Sequence, residues 1–380
     1  MNTKILDDLL QYFLSVGYPM AELAVHRYGK EIYHGRFGYT DVENKITPKD
    51  DTQYFFYSCS KPVTCAAALT LFEQGKFLLS DKLSDFLPEY KDMRVTVRNP
   101  DGTVTTRPAA REIQMLDLFT MTAGFSYNFG LPAIRKIKEE SHGTATTREV
   151  IAALAQEPLG FDPGDKWNYS VCHDVLLAAV EVIAGERFGD YVKRVIFDPL
   201  GMDASSYLLP ADTSKMAQQY RFSADFSHLE IVGSTNNSFM LTSQYESGGA
   251  GLVSTVADYM KFADMLSLGG IGANGARVLA PATVSLMKTD ALTAHQHVSF
   301  NWPQLVGYGY GLGVRTLIDR SAAGTLAPLG EFGWNGAAGM RAMFDTTSGV
   351  SFLFAQHTLN PNKVQLLPMC RNAVFSALGE

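Results

Sequence analysis

Residues 55–63 read Phe55-Phe56-Tyr57-Ser58-Cys59-Ser60-Lys61-Pro62-Val63. An apolar run ends in Ser58, and Lys61 follows three residues later where a helical pattern begins. On a helix, positions i and i+3 share a face, so the ammonium group reaches the hydroxyl. A serine beside a base is how a poor nucleophile becomes a good one. The spacing alone carries little weight, because ordinary Ser and Lys usage yields about one S-x-x-K in a chain this long. A second copy, Ser285…Lys288, lies in a helical pattern with no partners around it and reads as a surface coincidence. Context separates the two.

Upstream of Ser58, residues 4–16 have a helical period that stops at Gly17. Two strand-like runs follow, Ala21–Tyr28 and Glu31–Tyr39, joined at Gly29-Lys30 as a hairpin. Downstream, Val63–Phe72 reads as a buried helix ending at Gly75. Arg94–Arg107 reads as an excursion hairpin turning at Asn99-Pro100-Asp101-Gly102. Helical patterns dominate from about 112 to 205. Glycines cluster at Ser247-Gly248-Gly249-Ala250-Gly251, ahead of a helix starting near Ser254 with Asp258 in its first turns. The last third reads as strands, Tyr308–Thr316, Gly339–Asp345 and Val350–Gln356, with a closing helix over about 363–377.

Strands at both ends with helices between predict an α+β fold. An antiparallel sheet flanked by helices, from about 1–57 and 231–380, forms an α/β lobe. An all-helical lobe, about 58–230, is inserted into it. No repeat or linker interrupts the chain, so residues 1–380 form one unit.

Composition excludes several functions. Of 380 residues, 46% are hydrophobic and 19% charged, a globular balance. The net charge of −7 argues against nucleic-acid or anionic-membrane partners. The dense cationic stretch Arg135-Lys136-Ile137-Lys138 runs into Glu139-Glu140 and reads as a solvated helix face. The four cysteines, Cys59, Cys65, Cys172 and Cys370, lack metal or disulfide spacing and read as reduced thiols. Met1–Asp8 leads an amphipathic helix, without the pattern of a secretory signal, which points to the cytoplasm. His295-Gln296-His297 lacks an acidic or Cys partner nearby and reads as a loop, so no metal or other cofactor is expected. His173 is the wrong partner for a catalytic triad, because no G-x-S-x-G elbow exists in the chain. H-E-x-x-H and P-loop patterns are absent too.

Two further elements complete a pattern. Pro163-Gly164-Asp165-Lys166-Trp167-Asn168-Tyr169-Ser170-Val171 is a turn feeding a helix at about Asp174–Ala184. Gly333-Trp334-Asn335-Gly336-Ala337-Ala338-Gly339 leads into a strand. S-x-x-K, then Tyr-Ser, then an aromatic-x-Gly motif resembles the serine β-lactamase and penicillin-binding-protein superfamily. The resemblance is to its class C branch, and above all to the esterases of the family VIII carboxylesterase type on that scaffold. It spans nearly the whole chain, with support from Leu116–Gly124, Ser247–Asp258 and Tyr308–Gly313.

The resemblance implies roles for these residues. Ser58 is the nucleophile, and either Lys61 or Tyr169 accepts its proton. Tyr169 then hands a proton to the leaving group. The oxyanion hole is the backbone N–H of Ser58 and of Ala337. Trp334, Asn335, Gly336 and Asn128 face the substrate. Two departures bear on the substrate: Trp334 stands where β-lactamases carry Lys, and Val171 where class C enzymes carry Asn. Both remove polar recognition, which predicts neutral short- to medium-chain esters with weak β-lactam hydrolysis beside them. The alternatives are a β-lactamase or D,D-peptidase acting on an amide, an acyltransferase, and a catalytically inactive binding or sensor protein.

Overall fold

The computed structural model describes residues 1–379. Its centre is a seven-stranded antiparallel sheet drawn from both ends of the chain. The strands are β1 (Met20–Arg27), β2 (Lys30–Gly38), β3 (Tyr308–Tyr310), β4 (Arg315–Leu317), β5 (Phe332–Asn335), β6 (Arg341–Phe344) and β7 (Val350–Ala355). Their spatial order is β2-β1-β7-β6-β5-β4-β3. All six residues of β7 are buried. Apart from Ser351, whose hydroxyl donates to Asp264 Oδ1 at 2.7 Å, the strand is apolar, as one covered on both faces requires. The amphipathic α1 (Lys4–Ser15) buries Leu6, Leu10 and Phe13 against the sheet.

Two helices hold the site from beneath. α2 (Ser60–Glu73) is buried along nearly its whole length, from Ser60 through Leu71. A helix with no polar stripe belongs at the centre of a protein. It packs against α3 (Cys172–Ala184), which ends at Gly185 in the left-handed conformation. α4 (Val256–Ser267) starts on a Thr255 hydroxyl cap that accepts from the Asp258 N–H, and it packs on β7. α5 (Leu366–Leu378) closes the chain against α1.

Two local readings, Tyr308–Thr316 and the His295/His297 loop, need correction. Tyr308–Thr316 is two strands, β3 and β4, because the turn through Gly311 and Gly313 folds it back, with Gly311 N–H donating to Val314 O at 2.8 Å. The Gly333–Gly339 stretch does lead into a strand, β6, with Gly333–Asn335 already lying within β5 and Gly336–Gly339 forming the turn between the two. The His295/His297 segment is a short helix, Ala294–His297, in which each imidazole faces an aspartate. Among the described residues no cluster of three or more metal-ligating side chains occurs, and no helix is long and apolar enough to cross a membrane. The four cysteines are buried free thiols. The excursion hairpin is present as Arg94–Arg98 paired with Val104–Pro108.

Candidate active site

Ser58 sits in a single 3₁₀ turn, Tyr57–Cys59, between a short strand and α2. Tyr57 just before it has φ +47°, a left-handed conformation rare for a side chain of this size. The buried Tyr57 hydroxyl donates to Gln219, which holds this unfavourable backbone in place. The preceding strand, Gln53–Phe55, pairs antiparallel with Val253–Thr255, and Phe56 N–H donates to Leu252 O at 2.9 Å. That pairing brings the glycine cluster onto the Ser58 turn.

Lys61, one helical turn on, is fully buried. Its Nζ donates to Ser58 Oγ at 3.1 Å, to Tyr127 Oη at 2.9 Å and to Gly249 O at 2.7 Å. These three acceptors match the three N–H donors of an ammonium group. Burial nevertheless penalises the charge and pulls the Lys61 pKa down to about 7, against an opposing pull from the Asp174 carboxylate. The same Nζ lies 4.5 Å above the centre of the Tyr169 ring.

Gly249 occupies the tightest point of this cluster. A Cβ there would lie 2.6 Å from Tyr127 Oη, 2.8 Å from Asp174 Oδ2 and 3.3 Å from Lys61 Nζ. Only a residue without a side chain lets the backbone carbonyl approach the amine. Asp174, in the first turn of α3, accepts from Ser247 Oγ at 2.7 Å and Tyr245 Oη at 3.0 Å. Burial pushes its pKa up, and those donors together with Lys61 pull it back. The glycine cluster, the amine and the carboxylate therefore form one network.

Tyr169 closes the other side. Its hydroxyl faces Ser58, which works against the rise in its pKa, and accepts a hydrogen bond from Trp334 Nε1 at 3.1 Å. Burial drives its pKa far up, so the phenol holds its proton. The Trp334 ring lies 5.6 Å from the Tyr169 ring and 5.2 Å from that of Tyr310. Trp334 therefore spends its one donor on Tyr169 and offers the cleft only an apolar face.

The third motif reaches Ser58 through a second tight contact. A Cβ on Gly336 would fall 2.4 Å from Phe56 O, so the β5–β6 turn stacks directly on the backbone before Ser58. Ser58, Tyr169, Trp334, Asn335, Gly336 and Ala337 all line one cavity of about 850 Å³. Asn335 also contributes a buried Oδ1 without a partner.

Asn128 does not join them. Its side chain is exposed, its Oδ1 accepts from Gly130 N–H at 3.0 Å in a turn, and it borders a separate, much smaller pocket. The neighbouring Tyr127 is the residue that reaches Lys61. Tyr127, Asp174 and Trp302 carry no spacing signal that sequence reasoning could have used. Trp302 stands 5.2 Å from the Tyr169 ring although 133 positions separate them in the chain. His173 faces Cys65, not Ser58, and burial lowers its pKa to about 3, which keeps it neutral.

Known proteins share this architecture. The Beta-lactamase family model matches residues 6–367. Protein Rv1367c of Mycobacterium tuberculosis is 32% identical over 326 residues, covering 83% of this chain and 80% of that protein. Esterase EstB of Burkholderia gladioli is 26% identical over 354 residues, covering 88% and 84%. The solved structure of EstCE1, a hydrolase with promiscuous acyltransferase activity, superposes with a TM-score of 0.80 at 26% identity, covering 100% of this chain and 98% of that one. With the same fold and a match over nearly its whole length, this chain belongs to the beta-lactamase family.

Proposed function

We propose that this protein is a serine hydrolase that cleaves carboxylic esters through an acyl-enzyme. The observation that carries the reading is Lys61 Nζ at 3.1 Å from Ser58 Oγ, with burial holding that amine near neutrality at about pH 7. Of the two bases open in the sequence, Lys61 is favoured, because burial keeps Tyr169 protonated.

Ser58 Oγ attacks the ester carbonyl carbon while its proton passes to the neutral Lys61 amine. The carbonyl oxygen becomes an oxyanion held by the N–H groups of Ser58 and Ala337, each such donor being worth roughly 3–4 kcal/mol. The C–O bond breaks, and the leaving alkoxide takes a proton from Tyr169, whose hydroxyl is replenished by the proton that Lys61 took from Ser58. Water then attacks the acyl-enzyme by the reverse path, releasing the acid and restoring Ser58.

Esters that are uncharged around the scissile bond fit the site best. Position 334 is an indole whose donor is already used, so no cation meets an anion there. That disfavours the β-lactamase and D,D-peptidase readings. Transfer of the acyl group to an alcohol in place of water is the second reading. The promiscuous acyltransferase activity of the structurally similar EstCE1 and the size of the cavity here support it.

The test is Ser58→Ala, assayed with a chromogenic short-chain ester beside nitrocefin. Turnover of the ester is expected to fall by at least about 10⁴-fold with the melting curve intact. Near-native turnover in that variant overturns the reading.

A further inference from the structure

The exposed apolar side chains of this protein are not evenly spread. Single ones are ordinary on any surface. Val298, Val306, Ile318, Leu326 and Leu329, however, fall in one stretch of chain, and each is between 44% and 74% exposed. The fold brings three of them to one end of the sheet, where β3 begins, β4 ends and β5 begins. There Ile318 N–H donates to Gly307 O and Gly330 N–H to Leu317 O, both at 2.9 Å, so Val306, Ile318 and Leu329 stand on adjacent strands. Leu326 is tied in beside them, with Arg320 Nη2 donating to Leu326 O at 3.1 Å.

The charges of this stretch are satisfied locally. Arg315 is buried against Glu331. Asp319 caps the short helix Arg320–Ala323, accepting from the N–H groups of Ser321 and Ala322 at 3.0 Å each. Arg320 is held by the Leu326 carbonyl. No other Asp, Glu, Lys or Arg lies between residues 298 and 330.

The location of the patch indicates what it meets. The same stretch supplies Trp302, Pro303, Leu305, Val306, Ala322 and Ala323 to the wall of the cavity that holds Ser58. Val306 is both exposed and part of that wall, which puts the patch at the opening of the cavity. A Cβ on Gly307 would fall 2.7 Å from Ala323 Cβ, so the Val306 corner and the short helix press together at this rim. A contiguous apolar patch of this kind marks a contact surface. A lasting protein partner there would close the entrance to Ser58. An anionic bilayer is disfavoured by the net charge of −7 and by the lack of a free Lys or Arg in the patch.

We infer that this apolar collar docks on a neutral, aggregated ester phase, a droplet or micelle of the substrate's own chemistry. Ester then passes from that phase into the cavity without crossing bulk water. The inference rests on the ester-hydrolase reading and adds where the enzyme works: at an ester–water interface in preference to single dissolved molecules.

The test follows tributyrin hydrolysis as the ester concentration crosses the solubility limit into emulsion. The wild-type rate is expected to rise at least about fivefold above the value extrapolated from the dissolved range, since docking concentrates ester at the opening. The double variant Ile318→Glu/Leu329→Glu, outside the cavity wall, is expected to lose that rise, because its carboxylates would have to leave water on docking. Its kcat/KM for dissolved p-nitrophenyl acetate is expected to stay within about twofold of the wild type. Ser58→Ala is expected to float with triolein droplets in a density gradient, and the same protein carrying the double substitution is not. If the double variant does not fold, the wild-type rise and the flotation of Ser58→Ala decide. No rise and no flotation, with p-nitrophenyl acetate still hydrolysed, overturns the collar and leaves the esterase reading standing. So does a double variant that keeps the rise, a preference of Ser58→Ala for phosphatidylglycerol vesicles over droplets, or a solution dimer that the double variant cannot form. If no ester is hydrolysed but Ser58→Ala floats and its double variant does not, the esterase reading fails and the collar stands.

Discussion

Trp334 donates its indole N–H to the hydroxyl of Tyr169 at 3.1 Å, across 165 positions of sequence. The residue that replaces the family lysine is thus a support for the phenol as well as a wall of the cleft. Its N–H stabilises any negative charge that forms on Tyr169 as it gives up a proton.

Trp334→Phe keeps the apolar wall and removes only that donor. Loss of one hydrogen bond to a group that gains charge costs about 1.5–3 kcal/mol, so kcat for ester hydrolysis is expected to fall about 10- to 100-fold. Steady-state kinetics with KM measured alongside checks this; a KM rise with kcat unchanged would assign Trp334 to substrate binding alone.

The acid limb of kcat/KM is expected near pH 7. Lys61 has its pKa depressed from the ordinary lysine value to about 7. Activity therefore rises with pH as the amine loses its proton, and it is lost below that value. The Asp174 carboxylate opposes the depression, so Asp174→Asn is expected to move the limb to lower pH. A pH–rate profile of both proteins checks the sign, and a limb that moves upward, or none between pH 5 and 9, contradicts Lys61 as the base.

Gly249→Ala tests the packing of the network. The new methyl group would press on Tyr127, Asp174 and Lys61 at once. Side-chain ends can yield, so the fold is expected to survive at a cost of about 1–3 kcal/mol. Displacing the amine from Ser58 by even 1 Å is expected to lower kcat about 100-fold. Thermal melting and kcat measured on the same preparation separate the two effects.

The sheet and its flanking helices were legible because their signals are periodic. α1 shows the 3.6-residue stripe of a half-buried helix, and β7 the run of a covered strand, apolar except at Ser351. Tyr308–Thr316 misled because aromatic and glycine alternation reads as one strand, while Gly311 and Gly313 fold it into two. Asn128 misled because a short amide after a glycine suits a turn and a ligand site equally. The exposed Asn128 amide turned to its own backbone, and the aromatic residue beside it faced the amine.

The order of three short motifs in the chain was enough to bring Ser58, Lys61, Tyr169 and Trp334 into view, because i, i+3 spacing and residue chemistry are local properties. Asp174 at Ser247, Gly249 at Lys61 and Trp302 at Tyr169 had no such trace. Each depends on which backbone runs past which, and on where water is excluded. The Lys61 pKa belongs to that second group as well. A lysine becomes a base near neutral pH through burial, and burial is a property of the folded chain.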